Sequence, residues 1–498
     1  MNPIANKNAV VTGDNYRFTV LTDRLIRMEY DESGAFEDRA TQTVVNRELP
    51  VPHYTVETTA DAVVIETDCI RLTYRGGRFA KNNLHAEYCG KMGYQRFDYY
   101  YGDDNSRGTL PGTIRTLDGV DGSAPLPPSI MCRRGMTVID DSGSLAMEGD
   151  FVEPRRKDIL DVYLFAYAGQ LCDCLDAYYS ITGATPMLPR FALGNWWSKY
   201  YAYSEKSYME LMNRFAAEGI PMAVAVIDVD WHKVDIDPKY GCGWTGFSWN
   251  TELFPDPRRF LRRLHDMGMK ATLNLHPASG ISAHEDCYKA TAEAMGVDPE
   301  GEKNIPFDIA DKKFVDVYFD KVIKPLEDDG VDFWWMDWQQ GNTTKIEGLD
   351  PLWMLNHFHY EHARCGGESR GLLFSRFSGY GSHRYPVGFS GDTFVTWDTL
   401  DFQPYFTSSA ANVGYGWWSH DIGGHMGGVR DDELMSRWTQ FGVFSPIMRL
   451  HSSKSEFVKR EPWSFGADTH STMRKFMRLR CEMIPYLYTM NRRAHVQG

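Results

Sequence analysis

The stretch DFWWMDW, residues 332–338, sets a short apolar run directly before an aspartate. Short apolar runs are typical of strands buried in a parallel sheet. Seven further stretches also contain a short, mostly apolar run: ALGNWWS 192–198, PMAVAVIDVD 221–230, KATLNLHP 270–277, GLLFSRF 371–377, VGFSGD 387–392, YGWWSHD 415–421 and PIMRLHS 446–452. Helical stretches such as SYMELMNRFAAEG, residues 207–219, lie between them. Eight strands alternating with helices predict an α/β fold, a (β/α)8 TIM barrel over residues 188–498.

The sequence before the predicted barrel has a different pattern of apolar and polar residues. Alternating apolar and polar residues, as in YRFTVLTDRLIRMEY 16–30 and DAVVIETDCIRLTYR 61–75, are separated by turn residues. This pattern predicts an N-terminal β-sandwich domain over residues 1–165. Residues 166–187 hold one helical stretch, and the segment ATPMLPR 184–190 that follows it carries two prolines, so we predict a helix and a linker over 166–187.

Charge and composition limit the partners. The formal net charge is −14, and no run of Lys or Arg suggests a nucleic-acid partner or an anionic membrane. No secretion signal and no membrane-spanning run is found, and the nine cysteines are scattered, so we expect buried free thiols and a cytoplasmic location. The sequence leaves the number of subunits open, a homo-oligomer included. Aromatic residues make up 14%, a content that suits sugar binding as well as a large core.

Nearly every predicted barrel strand ends in a polar or ionisable residue. The set comprises Asp228, Asp230, His276, Asp337, Arg376, Asp392, Asp421 and His451. In a barrel of this kind the carboxyl ends of the strands open onto one face, where active sites lie. A single Asp there is often only a helix cap. A whole series with Trp and His neighbours favours a catalytic site.

Two carboxyl groups with different tasks cleave a glycosidic bond. Asp337 follows an aromatic strand, between Trp335 and Trp338. Asp392 follows a glycine, and the Phe and Trp residues around it predict an apolar setting that raises the pKa of a carboxyl group. The two residues are therefore candidates for nucleophile and general acid.

Several motifs, taken in order, resemble glycoside hydrolase family 31, the α-glucosidase and α-xylosidase family. VIDVDW 226–231 is similar to its D-x-D-Y segment, and FWWMDW 333–338 to its W-x-D-M-N-E strand. FSRFSGYGSHRYPVGFSGDTFVTWDTL 374–400 resembles its R…G-D-N-x-x-x-W-x-x-L segment, and GWWSHDIGGH 416–425 its D-I-G-G-F loop. FGVFSPIMRLHS 441–452 and MIPYLYTMNRRAHVQG 483–498 resemble its last strand and closing helix.

The resemblance implies a role for each matching residue. Asp337 would be the nucleophile and Asp392 the general acid/base. Residues implied to bind sugar are Asp230, Arg376 and His451, with Trp335 lining the pocket; Asp421 would touch substrate or orient its neighbours. In the N-terminal domain, GTIRTLDG 112–119 would reach over the barrel mouth, with Asp118 as a sugar contact or a plain turn residue.

The chain also departs from the family pattern. Trp338 replaces Met after the nucleophile, Thr393 replaces Asn after the acid/base, and Phe389 stands where Trp is frequent. His276 takes the position of a D-P strand end. These changes alter the walls of the first subsites and leave the sugar and the linkage open. The C-terminal β domains of relatives are also expected to be absent.

The resemblance implies a retaining, exo-acting α-glycosidase on oligosaccharides or glycosides, first of all an α-glucosidase, without cofactor or metal. α-Xylosidase, α-galactosidase-type, transglycosylase and lyase activities use the same nucleophile. Two other classes are a non-catalytic carbohydrate-binding protein, which both aspartates argue against, and a metal hydrolase. The candidate metal ligands are His232, His276, His357, His359, His362 and His451. The histidines at strand ends are single, and His357, His359 and His362 lie on a helix that we expect to be exposed, so neither group predicts a metal site.

Overall fold

The computed structural model describes residues 1–90, 97–104, 108–133 and 135–498. The regular elements of its N-terminal part are almost all short antiparallel strands. In chain order they are β1 Val10–Thr12, β2 Tyr16–Thr22, β3 Leu25–Tyr30, β4 Tyr54–Thr58, β5 Val63–Thr67, β6 Ile70–Tyr74, β7 Leu84–Tyr88, β8 Asp98–Tyr100, β9 Thr109–Pro111, β10 Pro128–Cys132, β11 Thr137–Asp140, β12 Ala146–Glu148, β13 Phe151–Glu153 and β14 Leu160–Phe165.

These strands form two five-stranded sheets, in the orders β1-β2-β3-β14-β11 and β4-β5-β6-β7-β8. Side chains from both sheets meet in one hydrophobic core, with Phe18 and Ile26 from the first sheet and Ile65, Leu72 and Leu84 from the second. Alternation of apolar and polar residues along each strand produces this arrangement, because every second side chain points to the same face. The pairs β9–β10 and β12–β13 are separate two-stranded ribbons.

Helix α1, Leu171–Thr182, follows the sheets and ends at Gly183, whose φ of +92° a residue with a Cβ rarely adopts. The remaining elements alternate between strands and helices. They are β15 Asn195–Trp197, α2 Glu205–Ala217, β16 Val224–Ile227, α3 Pro257–Asp266, β17 Lys270–Leu275, α4 Tyr288–Met295, α5 Lys312–Val317, α6 Lys324–Asp329, β18 Phe333–Met336, α7 Pro351–Ala363, β19 Leu373–Phe374, β20 Gly388–Phe389, α8 Trp397–Ala410, β21 Trp418–Ser419, α9 Asp432–Phe444, β22 Met448–Leu450, α10 Ala467–Glu482 and α11 Ile484–Gln497.

Each of the eight stretches predicted as barrel strands contains one of these strands. Six of them form a curled parallel sheet in the order β19-β18-β17-β16-β15-β22, and β20 pairs with β21. Single bridges join the two sheets, from Ser375 to Gly388 on one side and from Ser419 to Ile447 on the other. These bridges link an edge strand of the six-stranded sheet to each strand of the two-stranded sheet.

One connection departs from a strict alternation of strand and helix. Between β19 and β20, a stretch that the structure describes in full, the chain forms only the 3-10 turn Ser382–Arg384. Arg384 in this turn donates to the carbonyl oxygens of Gln42, Thr43 and Thr182. The N-terminal domain and α1 thus cover the barrel wall where a helix would otherwise pack.

Successive residues of each barrel strand face opposite sides of the sheet, as strand geometry requires. Val226 and Trp335 belong to a cluster with Phe374 and Phe389 inside the barrel. Their neighbours, such as Ile227 and Trp334, pack instead in the layer that includes the helices. Apolar residues are therefore needed on both faces, which explains the near-continuous hydrophobic runs in the sequence.

Two expectations about burial were wrong. On helix α7, His357 and His359 are buried rather than exposed, and they contact the hydroxyl groups of Tyr385 and Tyr318. Buried free thiols are found at some cysteines, but four are exposed: Cys89, Cys172, Cys242 and Cys365. In the described ranges no helix is both long enough and apolar enough to cross a membrane.

Arg480 joins helix α10 to the chain around β15 and β22. Its guanidinium donates to the carbonyl oxygens of Leu193, Val443, Ser445 and Pro446. Replacing Arg480 with Met leaves these buried acceptors without a donor, so we expect a loss of at least about 3 kcal/mol of stability. Thermal unfolding measures this loss of stability as a lower midpoint. Arg478→Met, on the exposed face of the same helix, is the control and should change the midpoint little. Equal midpoints for both variants would contradict this role.

Candidate active site

Strand alternation carries the candidate residues into the barrel mouth. Trp335 faces the interior, so Asp337, two residues further along, continues on the same face. In the same way, Arg376 lies two residues after Phe374, and Asp228 lies two residues after Val226, so both continue on the interior face. The carboxyl ends of the strands thus bring together residues that are far apart in the chain.

Asp337 is buried, and both oxygens of its carboxylate have side-chain partners. Nε and Nη2 of Arg376 donate to its Oδ1 at 3.0 and 2.9 Å, and Nε2 of His276 lies 3.3 Å from Oδ2. Burial would raise the pKa of Asp337, but the Arg376 guanidinium and the His276 imidazole outweigh it and hold the pKa well below its ordinary value. Asp337 is therefore a carboxylate at neutral pH.

Arg376 also connects this carboxylate to the N-terminal domain. Its Nη1 donates to Thr116 Oγ1 at 2.6 Å, and its Nη2 lies 3.1 Å from Asp118 Oδ2. The guanidinium packs over the ring of Phe389 at 4.4 Å. Asp118, predicted as a sugar contact or a turn residue, therefore holds the arginine, and Phe389 supports the arginine from below.

Asp392 is half-buried and lies among other acidic groups. Its backbone N–H donates to Asp118 Oδ1 at 2.8 Å, and its Oδ1 lies 3.3 Å from His425 Nδ1. Burial raises the pKa of Asp392 to about 7; His425 opposes the rise, while Asp421, Asp118 and Asp337 add to it. The raised pKa thus comes from burial and acidic neighbours rather than from Phe and Trp alone.

The backbone before Asp392 allows this approach only with glycine. Gly391 has a φ of +94°, and a Cβ there would lie 1.9 Å from Asp118 Oδ1 and 2.8 Å from Arg376 Nη1. The loop from the N-terminal domain therefore packs directly on the backbone of the acid/base motif.

Asp421 lies deeper and orients its neighbours. Arg449 donates to its Oδ1 through a short contact, and His425 Nδ1 lies 3.0 Å from its Oδ2. Burial alone would raise the pKa of Asp421, but the charge of Arg449 and the hydrogen bond from His425 lower it well below its ordinary value. Of the two roles considered for Asp421, the geometry therefore supports that of an orienting residue.

His451 is buried beside the Trp335 ring, with the two ring centres 5.4 Å apart. Its Nδ1 lies 2.6 Å from Ser198 Oγ, and its Nε2 lies 3.9 Å from Asp228 Oδ2. Burial lowers the pKa of His451 well below its ordinary value, so the ring is neutral. Burial raises the pKa of Asp228 to about 6.

Two candidates lie away from these groups. Asp230 is half-buried in a 3-10 turn; burial raises its pKa, and the charge of Lys454 opposes the rise. Trp338 follows Asp337 on the opposite face: its ring packs on Phe307, and its indole N–H donates to Gly341. These contacts hold the Trp338 ring, and its place in the wall of the first subsites stays a prediction.

Several residues that contribute to the site were not predicted from the sequence. Asp228 was noted only as a strand end, yet it and not Asp230 faces His451. His425 replaces the Phe of the D-I-G-G-F pattern, a signal that could have been used. Trp244, whose ring lies 4.4 Å from that of His276, comes from a long loop with no pattern to mark it.

A group of acids and histidines raises the question of a metal. One ligand atom from each of Asp392, Asp421, His425 and His451 lies within 4.8 Å of the others. Arg449 already neutralises Asp421, however, and Ser198 occupies Nδ1 of His451. We therefore interpret the group as a hydrogen-bonded network within the protein.

The arrangement places an ionised carboxyl group, Asp337, and a carboxyl group of raised pKa, Asp392, in the same pocket. The difference arises because Arg376 is paired directly with Asp337, whereas burial raises the pKa of Asp392 and acidic neighbours add to that rise against the opposing His425. Such a pair suits nucleophilic attack combined with proton donation.

Comparison with known proteins agrees with this reading of the barrel. Residues 185–490 match the family model described as the glycosyl hydrolases family 31 TIM-barrel domain. An α-xylosidase of Saccharolobus solfataricus is 26% identical over 397 residues, which cover 73% of this chain and 51% of the relative. α-Glucosidase 2 of Bacillus thermoamyloliquefaciens is 25% identical over 374 residues, or 68% of this chain and 46% of the relative.

Among solved structures, a family 31 dextranase of Flavobacterium johnsoniae superposes with a TM-score of 0.75 at 20% identity, covering 98% of this chain and 69% of the other. An α-xylosidase of Xanthomonas citri gives 0.72 at 15% identity, covering 99% and 78%. The chain spans about half the length of the curated relatives that it matches. The family model covers more than half of the chain, which therefore belongs to glycoside hydrolase family 31.

Proposed function

We propose that this protein is a retaining, exo-acting α-glycosidase that hydrolyses terminal α-linked sugars through a covalent glycosyl–enzyme intermediate. The observation that carries the proposal is the contrast between Asp337, kept ionised by Arg376, and Asp392, whose pKa is raised to about 7. A nucleophile must be charged and a general acid protonated at the same pH.

In this mechanism Asp337 attacks the anomeric carbon while Asp392 protonates the departing oxygen. The bond to the aglycone breaks, and a β-glycosyl ester forms on Asp337. Asp392, now a carboxylate, takes a proton from water, which attacks the same carbon and releases the sugar with its α configuration. The (β/α)8 closure of the barrel, which we also propose, holds the two carboxyl groups on one face.

For the sugar we propose glucose, with xylose as the second candidate. The relatives named above include both an α-glucosidase and an α-xylosidase at similar identity. These sugars differ only in the hydroxymethyl group at C5. Release of 4-nitrophenol from the α-glucoside and the α-xyloside therefore distinguishes the two candidates directly.

The first prediction concerns the nucleophile. Asp337→Asn keeps the size of the side chain but removes the charge, so we expect turnover to fall at least about 1,000-fold with the fold intact. NMR of the first-formed sugar anomer should show the α form in the wild-type reaction. A β product would indicate inversion, and substantial activity of Asp337→Asn would exclude this residue as nucleophile.

The second prediction concerns Asp392. Asp392→Ala should slow cleavage of a phenyl α-glycoside, whose leaving group needs a proton, by about 10²- to 10⁴-fold. An α-glycosyl fluoride, which needs little protonation, should react far better. Azide, which needs no base, should then displace the β-glycosyl ester on Asp337 and yield the α-glycosyl azide. Equal losses on both substrates without azide product would contradict the assignment of Asp392.

The third prediction is the pH profile of kcat/KM. The general acid acts only while protonated, and the pKa of Asp392 is about 7, so activity should be retained below that pH and fall about tenfold per unit above it. The acid limb belongs to Asp337, whose lowered pKa places it below the ordinary range of an aspartate. A profile still rising at pH 9 would contradict this assignment.

The fourth prediction concerns the loop from the N-terminal domain. Asp118→Ala removes the acceptor of Arg376 and of the Asp392 backbone, so we expect kcat to fall about 10- to 100-fold through misplacement of both groups. Asp121→Ala is the matched control, because Asp121 lies on the same loop and accepts from Thr396. Similar kcat values for the two variants would show that the Asp118 contacts are dispensable.

A further inference from the structure

His425 is the one residue of the GWWSHDIGGH loop that departs from the D-I-G-G-F pattern. Where the pattern has an apolar ring, this chain has an imidazole in contact with two carboxyl groups. Nδ1 lies 3.0 Å from Asp421 Oδ2 and 3.3 Å from Asp392 Oδ1. Because the Asp421 carboxylate can only accept, Nδ1 carries a proton that both carboxyl groups can share.

The backbone around His425 fixes this position. The His425 N–H donates to the carbonyl oxygen of Thr393 at 2.8 Å, and the Ser453 N–H donates to the carbonyl of His425 at 3.0 Å. Thr393 directly follows Asp392, so the loop with the imidazole is bonded to the loop with the acid/base. The imidazole therefore cannot move far without moving the Asp392 loop as well.

Asp421 anchors the other side of the imidazole. Arg449 bonds one oxygen of Asp421 and also donates to Ser419, and both charged side chains are fully buried. The order Arg449, Asp421, His425 and Asp392 thus runs from the barrel interior to its mouth. Of this series only the half-buried Asp392 is accessible to a substantial degree, with 37% of its side chain exposed against 9% for His425.

The charges that face each group determine the sign of the coupling. Those that face Asp392 are His425, Asp421, Asp118, Asp337 and Arg376. Those that face His425 are Asp421, Asp392, Asp228 and His451. Burial lowers the pKa of His425, but the hydrogen bond and charge of Asp421, with Asp392 and Asp228, raise it above the ordinary value.

We propose that His425, anchored through Asp421 and Arg449, is a positioning residue that orients the Asp392 carboxyl group for proton transfer to the leaving group. The inference rests on the proposed function, in which Asp392 is the general acid/base. Its positive charge also limits how far the pKa of Asp392 rises, which keeps that carboxyl able to act as base in the second step.

Two substitutions separate the hydrogen bond from the charge. His425→Phe restores the family residue and removes both, whereas His425→Gln keeps an N–H donor without the charge. With a phenyl α-glycoside, we expect kcat/KM of His425→Phe to fall about 10- to 100-fold. With the corresponding α-glycosyl fluoride the loss should stay below about threefold, because that leaving group needs little protonation. The Gln variant should recover most of the loss on the phenyl glycoside.

The pH profile supplies a readout that a purely structural role would not change. Removing the positive charge beside Asp392 raises its pKa further, so the alkaline limb should move to higher pH in both variants. Thermal unfolding of the two variants serves as the check on folding. If the phenyl glycoside and the fluoride lose equal activity, or if the alkaline limb stays in place in both folded variants, the proposal for His425 is overturned.

Failure of the proposed function itself gives a different result. Asp392→Ala, assayed beside the His425 variants, tests the general acid directly. If Asp392→Ala cleaves the phenyl glycoside as well as the wild type, Asp392 is not the acid, and the proposal for His425 falls with it. If Asp392→Ala shows the leaving-group dependence and His425→Phe does not, only the proposal for His425 is wrong.

Discussion

The guanidinium group of Arg376 joins three parts of the molecule that the chain keeps far apart. It donates to Asp337 at the end of β18 and to Thr116 and Asp118 on a loop of the N-terminal domain. A fully buried cation of this size is stable only when acceptors surround it. The two domains and the pocket are therefore bound to one another by the same charge, and the pocket is complete only when the N-terminal loop is in place.

The same charge explains why two aspartates in one pocket behave differently. Burial disfavours the ionised form of both, but Arg376 lies against Asp337, and acidic side chains surround Asp392. The pKa values of identical residue types are thus shifted in opposite directions by their surroundings. Gly391 is part of this arrangement, because its missing Cβ leaves room for Asp118 between the arginine and the acid/base motif.

The barrel supplies rigidity to these groups through its alternating faces. Trp335 and Phe374 fill the interior below the pocket, and Arg449 lies between them and the buried Asp421. Under the proposed function, the many carboxylates at the mouth would stabilise positive charge that develops on a sugar ring. The buried arginines keep that concentration of negative charge compatible with a folded protein.

The eight strands and the polar residues at their ends could be located before folding, because hydrophobic runs and the residues that follow them are local features. The family resemblance pointed to Asp337, Asp392 and Arg376, which the structure brings into one pocket. Folding was needed to show that Asp228 lies against His451, that Trp338 packs on Phe307 and that His425 lies between two carboxyl groups. These outcomes depend on which strand face meets which neighbour, and no local pattern contains that information, because the contacting residues come from separate strands and loops.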